Sequence, residues 1–219
     1  MKASLAFLAK NPHFKPLIQK HGPPKLRRGK NAFQALARSI IYQQISGKAA
    51  SSIYGKFVAF FGIELVRPVN WEDKAMQRFP TPHEILVMPE EKMRSAGLSA
   101  QKVSYLKDLA LKFSDGTIDE SLLENMSSEN IVTHLTKVKG IGVWTVHMFL
   151  IFSLNRPDVL PTGDLGIRKG FQVLYKMRSL PTPAQMEKRA KGWREHASVA
   201  SWYLWRIADE AAERRKKSP

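Results

Sequence analysis

Leu135-Thr-Lys-Val-Lys-Gly-Ile-Gly-Val-Trp-Thr-Val-His147 is the stretch that decides the fold. Apolar residues at helical spacing run up to Leu135 and resume at Val143, and Gly140-Ile-Gly142 between them permits a tight turn. Two helices joined in this way leave backbone N–H groups facing outward at the start of the second, where they can hold a phosphate without reading base sequence. A Gly-x-Gly turn also joins helices for packing reasons alone. The other half of the pattern comes twenty-four residues after Gly140. There Asp164 sits in Leu160-Pro-Thr-Gly-Asp-Leu-Gly-Ile-Arg168, a short Pro/Gly-rich loop that opens another apolar-periodic segment. A phosphate clamp followed closely by one carboxylate points to chemistry on DNA.

Composition agrees. The 219 residues are 43% hydrophobic and 25% charged, the balance of a globular protein with one or two compact lobes. Lys and Arg number 35 against 19 Asp and Glu, a net charge of +16 spread along the chain. A polyanion is the expected partner, nucleic acid ahead of a membrane surface, with solubility the alternative use of such a surplus. With no cysteine, disulfides, thiolate zinc sites and cysteine-ligated iron–sulfur clusters are excluded. No apolar run approaches the roughly 20 residues that span a bilayer, so no membrane partner is expected. Ser4-Leu-Ala-Phe-Leu-Ala9 reads as an N-terminal helix, being too short for a signal peptide and interrupted by Lys10. The basic end, Glu213-Arg-Arg-Lys-Lys-Ser-Pro219, suits nuclear import, nucleic-acid affinity or a helix end with dipole-matched cations.

Helical period dominates, and no segment alternates at strand spacing, so the fold is expected to be all-α. Asn31 caps a helix over 32–45 with Phe33, Leu36, Ile40 and Ile41 in one stripe; after a break near Ser46 a second runs over 49–60. Thr81-Pro-His-Glu84 is a capping box with Pro at the first helical position. Residues 99–113 form an amphipathic helix, Ser128 opens the next, and 143–154 and 202–212 are apolar enough to be largely buried. Linker-like stretches are 21–29, 62–80 and 155–163.

Four ordered anchors carry a resemblance: Ile41-Tyr-Gln-Gln-Ile-Ser46, Val138-Lys-Gly-Ile-Gly-Val-Trp-Thr145, Leu160-Pro-Thr-Gly-Asp-Leu-Gly-Ile-Arg168 and Ser201-Trp-Tyr-Leu-Trp205. Together they resemble the helix-hairpin-helix-Gly/Pro-Asp superfamily of DNA glycosylases, in particular its alkylbase type, over roughly residues 30 to 210. The resemblance implies two helical lobes, 31–154 containing the hairpin and 1–30 plus 155–219 completing the site, with DNA in a cleft between them. It implies a monomer acting on double-stranded DNA, damaged or abasic. The setting would be nuclear in a eukaryote and cytoplasmic in a bacterium.

In such proteins the matched Asp164 drives N-glycosidic cleavage. An alkylated purine such as 3-methyladenine or 7-methylguanine is already cationic and leaves readily, so the charge developing on the deoxyribose is what needs stabilising. Asp164 would supply that field and orient a water; it also suits a helix cap at Leu165, and both roles can coexist. Extruding the base leaves a gap in the stack, and Gln44 and Ile45 match the region where relatives place a wedge. Ordinary core is the other reading of Ile45. Trp144 occupies the position of the Schiff-base Lys of lyase-type relatives, which implies a monofunctional hydrolase. Trp144, Met148, Trp202 and Trp205 are the pocket candidates, with core packing the alternative for the three tryptophans. Lys139, Gly140, Gly142, Trp144, Thr145 and Ser46 are the phosphate-contact candidates. No cofactor is required by this chemistry; the resemblance adds a structural Na+ or K+ on the carbonyls of Thr136, Val138 and Ile141.

The chain departs from the pattern in three places. Glu195-His-Ala-Ser198 replaces a Pro-aromatic-Arg-Ser/Thr run and loses an Arg that would steady Asp164 or a phosphate. Met148 stands where bacterial members of the alkylbase type carry a pocket Tyr, and Lys139 where the family's hairpin commonly has Pro. These departures keep two further readings open: a minor-groove or abasic-site damage binder with weak or no catalysis, and a non-catalytic hairpin module for any duplex. A metal-dependent nuclease is disfavoured, because Asp73, Asp108, Asp115, Asp119 and Asp209 form no cluster in sequence and His134 and His147 read as ordinary helix residues.

Overall fold

The computed structural model describes residues 1–24, 26, 29, 31–63 and 78–217. Asp73, most of the 62–80 connector, part of the 21–29 linker and the last two residues of the basic end lie outside the described residues. Every regular element among the described residues is helical, as expected for an all-α chain. The chain divides into two compact units, Gly29–Phe149 and Met1–Arg28 with Leu150–Pro219. No helix among the described residues is long and apolar enough to cross a membrane.

The first of these units is built from α3 (Ala32–Tyr42), α4 (Gly47–Ala59), α5 (Pro82–Val87), α6 (Glu90–Ser95), α7 (Ala100–Ser114), α8 (Glu120–Leu123), α9 (Ser128–Leu135) and the start of α10 (Val143–Phe152). Its helix starts are set locally. The side chains of Asn31, Ser46, Thr81, Ser99 and Ser127 each accept an N–H of the following first turn, and Thr81 and Glu84 close the expected capping box. Phe33, Leu36, Ile40 and Ile41 of α3 are buried with Phe57, Ile85, Val103, Leu106 and Leu109. Two lysines of α7 terminate its neighbours: Lys102 Nζ donates to the carbonyls of Ile41 and Gln43 at the end of α3, and Lys107 Nζ to those of Leu86 and Met88 at the end of α5. Both satisfy carbonyls that a helix end leaves without intrahelical partners, and burial holds both ammonium groups below the ordinary lysine value.

The second unit holds α1 (Lys2–Leu8), α2 (Lys15–His21), the end of α10, α11 (Leu165–Leu174), α12 (Pro183–Ala190), a 3-10 turn (Lys191–His196) and α13 (Ala197–Lys217). Leu8, Phe14, Ile167, Phe171, Met186, Trp193, Tyr203 and Leu204 make its core. Gly166 and Gly170, one turn apart on α11, lie against α13: a Cβ on Gly170 would overlap the Leu204 carbonyl, and one on Gly166 would sit 2.8 Å from Trp205 Cδ1. The close approach of these two helices depends on those missing methyl groups.

Several expectations are revised. The helix expected over 32–45 ends at Tyr42, because Lys102 caps its final carbonyls and Gln44 turns left-handed, with φ +58°. The helix expected over 143–154 is not buried at its start: Val143 and Trp144 are half-exposed, while Val146, Phe149, Leu150 and Ile151 are buried. The terminal helix begins at Ala197, five residues ahead of the expected start. α12 was not anticipated, although Thr182-Pro-Ala-Gln185 is a second capping box of the kind seen at Thr81.

Candidate nucleic-acid interface and active site

The Gly140 turn joins α9 to α10 as the sequence suggests. Gly140 adopts φ +78°, and a Cβ there would overlap the Tyr105 ring, so conformation and packing both demand glycine. The turn is seated on α7 by Asp108, whose Oδ2 accepts the Lys139 N–H at 2.8 Å while Oδ1 pairs with Lys112 at 2.7 Å. Burial opposes ionisation of this carboxyl, but its bonds to the Lys112 ammonium and the Lys139 amide outweigh that and hold it below its ordinary value. The first intrahelical bond of α10 runs from Val146 N–H to the Gly142 carbonyl. The N–H groups upstream lie outside the helical ladder, the arrangement that attracts an anion.

This geometry sorts the phosphate candidates. Lys139 is exposed, but its backbone N–H is taken by Asp108, so only its ammonium can reach a phosphate. Gly142 is exposed and would have open space around an added Cβ. The Thr145 side chain, named above as a phosphate contact, is only 5% exposed because it lies on the inward face of α10; its contribution is confined to the backbone. Ser46 is exposed and already caps α4, its Oγ accepting the Ala49 N–H at 3.3 Å. Trp144 is 52% exposed, on the first turn of α10.

The carbonyls of Thr136, Val138 and Ile141 belong to the same turn, and that of Val138 accepts the Ile141 N–H at 3.1 Å. Neutral carbonyl donors, each with a second lone pair, fit a monovalent cation. No group of three or more acidic or histidine side chains suited to a divalent ion occurs among the described residues.

The loop between α3 and α4 is exposed at Gln44 and Ile45. Ile45 is 38% exposed, so it is not a core residue. Gln43, missed in the sequence, extends its side-chain amide to the Gly140 carbonyl at 2.8 Å and ties this loop to the hairpin turn.

In the second unit Asp164 caps α11, its Oδ1 accepting the Ile167 N–H at 2.8 Å. The same oxygen accepts the indole N–H of Trp205 at 2.9 Å, and the Trp205 ring stacks on Phe152 with centroids 5.9 Å apart. Two donors from different helices therefore fix the carboxylate. The aromatic candidates separate as a result: Trp205 touches Asp164, whereas Trp202 packs edge-on against Tyr203 with the Arg206 guanidinium 4.7 Å from its ring centre. Met148 is half-buried on α10. In the departing segment, Ser198 Oγ donates to the Arg156 carbonyl and accepts the Val159 N–H, and the His196 ring lies against Phe7 and Ser4. That stretch anchors α1 and the loop leading to Asp164.

The chain matches known proteins along most of its length. The profile of the HhH-GPD superfamily of base excision DNA repair proteins matches residues 37–195. The DNA-3-methyladenine glycosylase 1 of Schizosaccharomyces pombe is 35% identical over 193 residues, 88% of this chain and 79% of the relative. The alkylbase DNA glycosidase-like protein mag2 of the same yeast is 28% identical over 196 residues, 87% of this chain and 85% of the relative. Among solved structures, the 3-methyladenine DNA glycosylase of S. pombe in complex with abasic DNA aligns with a TM-score of 0.75 and 33% identity, over 94% of this chain and 97% of that one. The DNA-3-methyladenine glycosidase of Bacillus halodurans aligns with a TM-score of 0.80 and 32% identity, over 94% and 89%.

Proposed function

The chain belongs to the HhH-GPD superfamily of base excision DNA repair proteins, and on that premise we propose that it is a monofunctional glycosylase hydrolysing the N-glycosidic bond of alkylated purines in duplex DNA. The observation that carries the reading is Asp164, a carboxylate on an α-helix N-terminus held by the Ile167 amide and the Trp205 indole. A fixed carboxylate needs no reorganisation to stabilise the positive charge that builds on the deoxyribose as the base departs, and it orients the attacking water. The alkylated base is cationic and needs little help as a leaving group, so no second catalytic carboxylate is required. Trp144, at the position of the lyase amine, cannot form a Schiff base, which supports hydrolysis alone.

In the same reading the hairpin amides about Gly142, with the Lys139 ammonium, grip a backbone phosphate of the DNA, and a monomer suffices. The carbonyls of Thr136, Val138 and Ile141 would hold a Na+ or K+, which adds positive charge beside that phosphate. Ile45, with Gln44 beside it, enters the stack as the base leaves. Trp144, half-exposed on the first turn of α10, offers an aromatic face to an electron-poor purine.

The test is single-turnover release of free base from methylated duplex DNA by wild type and Asp164→Asn, with abasic-DNA binding measured for both. Excision lost only in the variant is the expected result. Abasic binding by both proteins with excision by neither would overturn it in favour of a damage-binding protein, the reading that the Glu195-His-Ala-Ser198 departure favours.

A further inference from the structure

The loop carrying Gln44 and Ile45 is held in an unusual way. Gln44 is left-handed without being glycine, a conformation that persists only where the surroundings over-determine it. Those surroundings are specific. Ahead of it, Lys102 Nζ bonds the carbonyls of Ile41 and Gln43 at 2.7 and 2.8 Å. Beside it, Gln43 Nε2 donates to the carbonyl of Gly140 at 2.8 Å, in the turn that precedes the phosphate-binding amides. Behind it, Ser46 starts α4 by capping the Ala49 amide. The main chain is thus pinned on both sides of two exposed side chains, one of them a branched apolar residue.

The same helix supports loop and turn. Lys102, Tyr105 and Asp108 are spaced three apart on α7, an i, i+3 row. Lys102 holds the loop, the Tyr105 ring lies under Gly140, and Asp108 takes the Lys139 amide.

We propose that Gln43 and Lys102 are positioning residues that clasp the Gln44-Ile45 loop to the hairpin, so that the grip on a phosphate also sets how far Ile45 reaches into the duplex. The proposal rests on the reading of Ile45 as the wedge. Stacked bases resist a wedge, and on a slack loop the side chain would be pushed aside rather than part them. Neither Gln43 nor Lys102 touches the reacting atoms in this scheme; they act through Ile45.

The test compares wild type with Gln43→Met, Lys102→Met, Lys102→Arg and Ile45→Ala on duplexes carrying 2-aminopurine beside an abasic-site analogue, whose fluorescence reads unstacking without hydrolysis. Affinity for undamaged duplex, melting temperature and single-turnover excision are measured alongside. Gln43→Met and Lys102→Met are expected to bind undamaged duplex within about twofold of wild type while unstacking and excision fall about tenfold, as in Ile45→Ala. Lys102→Arg, whose guanidinium can also donate to two carbonyls, is expected to restore most of the loss. Normal unstacking in Gln43→Met while Ile45→Ala impairs it would overturn the clasp and leave the wedge standing. Normal unstacking in Ile45→Ala would overturn the wedge and the clasp with it. Undamaged-duplex affinity falling in step with excision also overturns the clasp. If Lys102→Met does not fold, Gln43→Met decides, since it removes a single side-chain bond.

Discussion

The indole Nε1 of Trp205 lies 2.9 Å from Oδ1 of Asp164, across 41 residues of chain, and shares that oxygen with the Ile167 amide. Both of these donors to the carboxylate oxygen are neutral: a backbone amide and an indole. A neutral donor aligns the carboxylate without forming an ion pair with it.

Replacing Trp205 with Phe keeps a ring against Phe152 and removes the N–H. A hydrogen bond to a charged group is worth about 1.5–3 kcal/mol, so single-turnover excision is expected to fall about 10- to 100-fold. Abasic-DNA affinity should stay near wild type. Unchanged excision would assign Trp205 to packing alone.

The two glycines of α11 have separable effects. Gly170→Ala drives a methyl group into the Leu204 backbone and should destabilise the fold by about 1–3 kcal/mol, read as a lower melting temperature. Gly166→Ala meets the edge of the Trp205 ring, which can tilt. It should cost less stability and lower excision by displacing the indole from Asp164.

The hairpin glycines differ in the same instructive way. Gly140→Ala combines positive φ with a clash against Tyr105, so a loss of about 2 kcal/mol or more and of DNA binding is expected. Gly142→Ala meets no protein atom, so its melting temperature should stay near wild type. If a phosphate approaches that backbone, affinity for duplex drops nonetheless, and equilibrium binding checks it.

Asp108 links the hairpin to pH. Its carboxyl is held below the ordinary value, so ionisation favours the folded state at neutral pH. That contribution is lost as pH falls through the ordinary carboxylate range, about 4, towards the lower folded value. Asp108→Asn should therefore be less stable than wild type near pH 7, with the gap closing below about pH 4 in denaturant titrations. A constant gap across that range would remove Asp108 from the account.

The sequence by itself determined the all-helical class, most of the helices and the Gly140 turn, because their signals are local. A cap at Asn31, Thr81 or Ser99 acts three residues ahead, an apolar stripe repeats within two turns, and a Gly-x-Gly turn is read where it stands. Ordered along the chain, the same motifs point to Asp164 as the candidate carboxylate, and Thr182-Pro-Ala-Gln185 carries a second cap legible in the sequence. Only the tertiary structure decided which partners hold these pieces: Trp205 rather than Trp202 on Asp164, Tyr105 beneath Gly140, Asp108 on the Lys139 amide, Lys102 and Gln43 on the loop that carries Gln44 and Ile45. It also turned Thr145 inward and Ile45 outward. All of these partners are brought together from distant parts of the chain, from 31 residues between Asp108 and Lys139 to 97 between Gln43 and Gly140. Such pairings leave no periodicity or spacing in the sequence, and their side chains find one another only after the helices have packed.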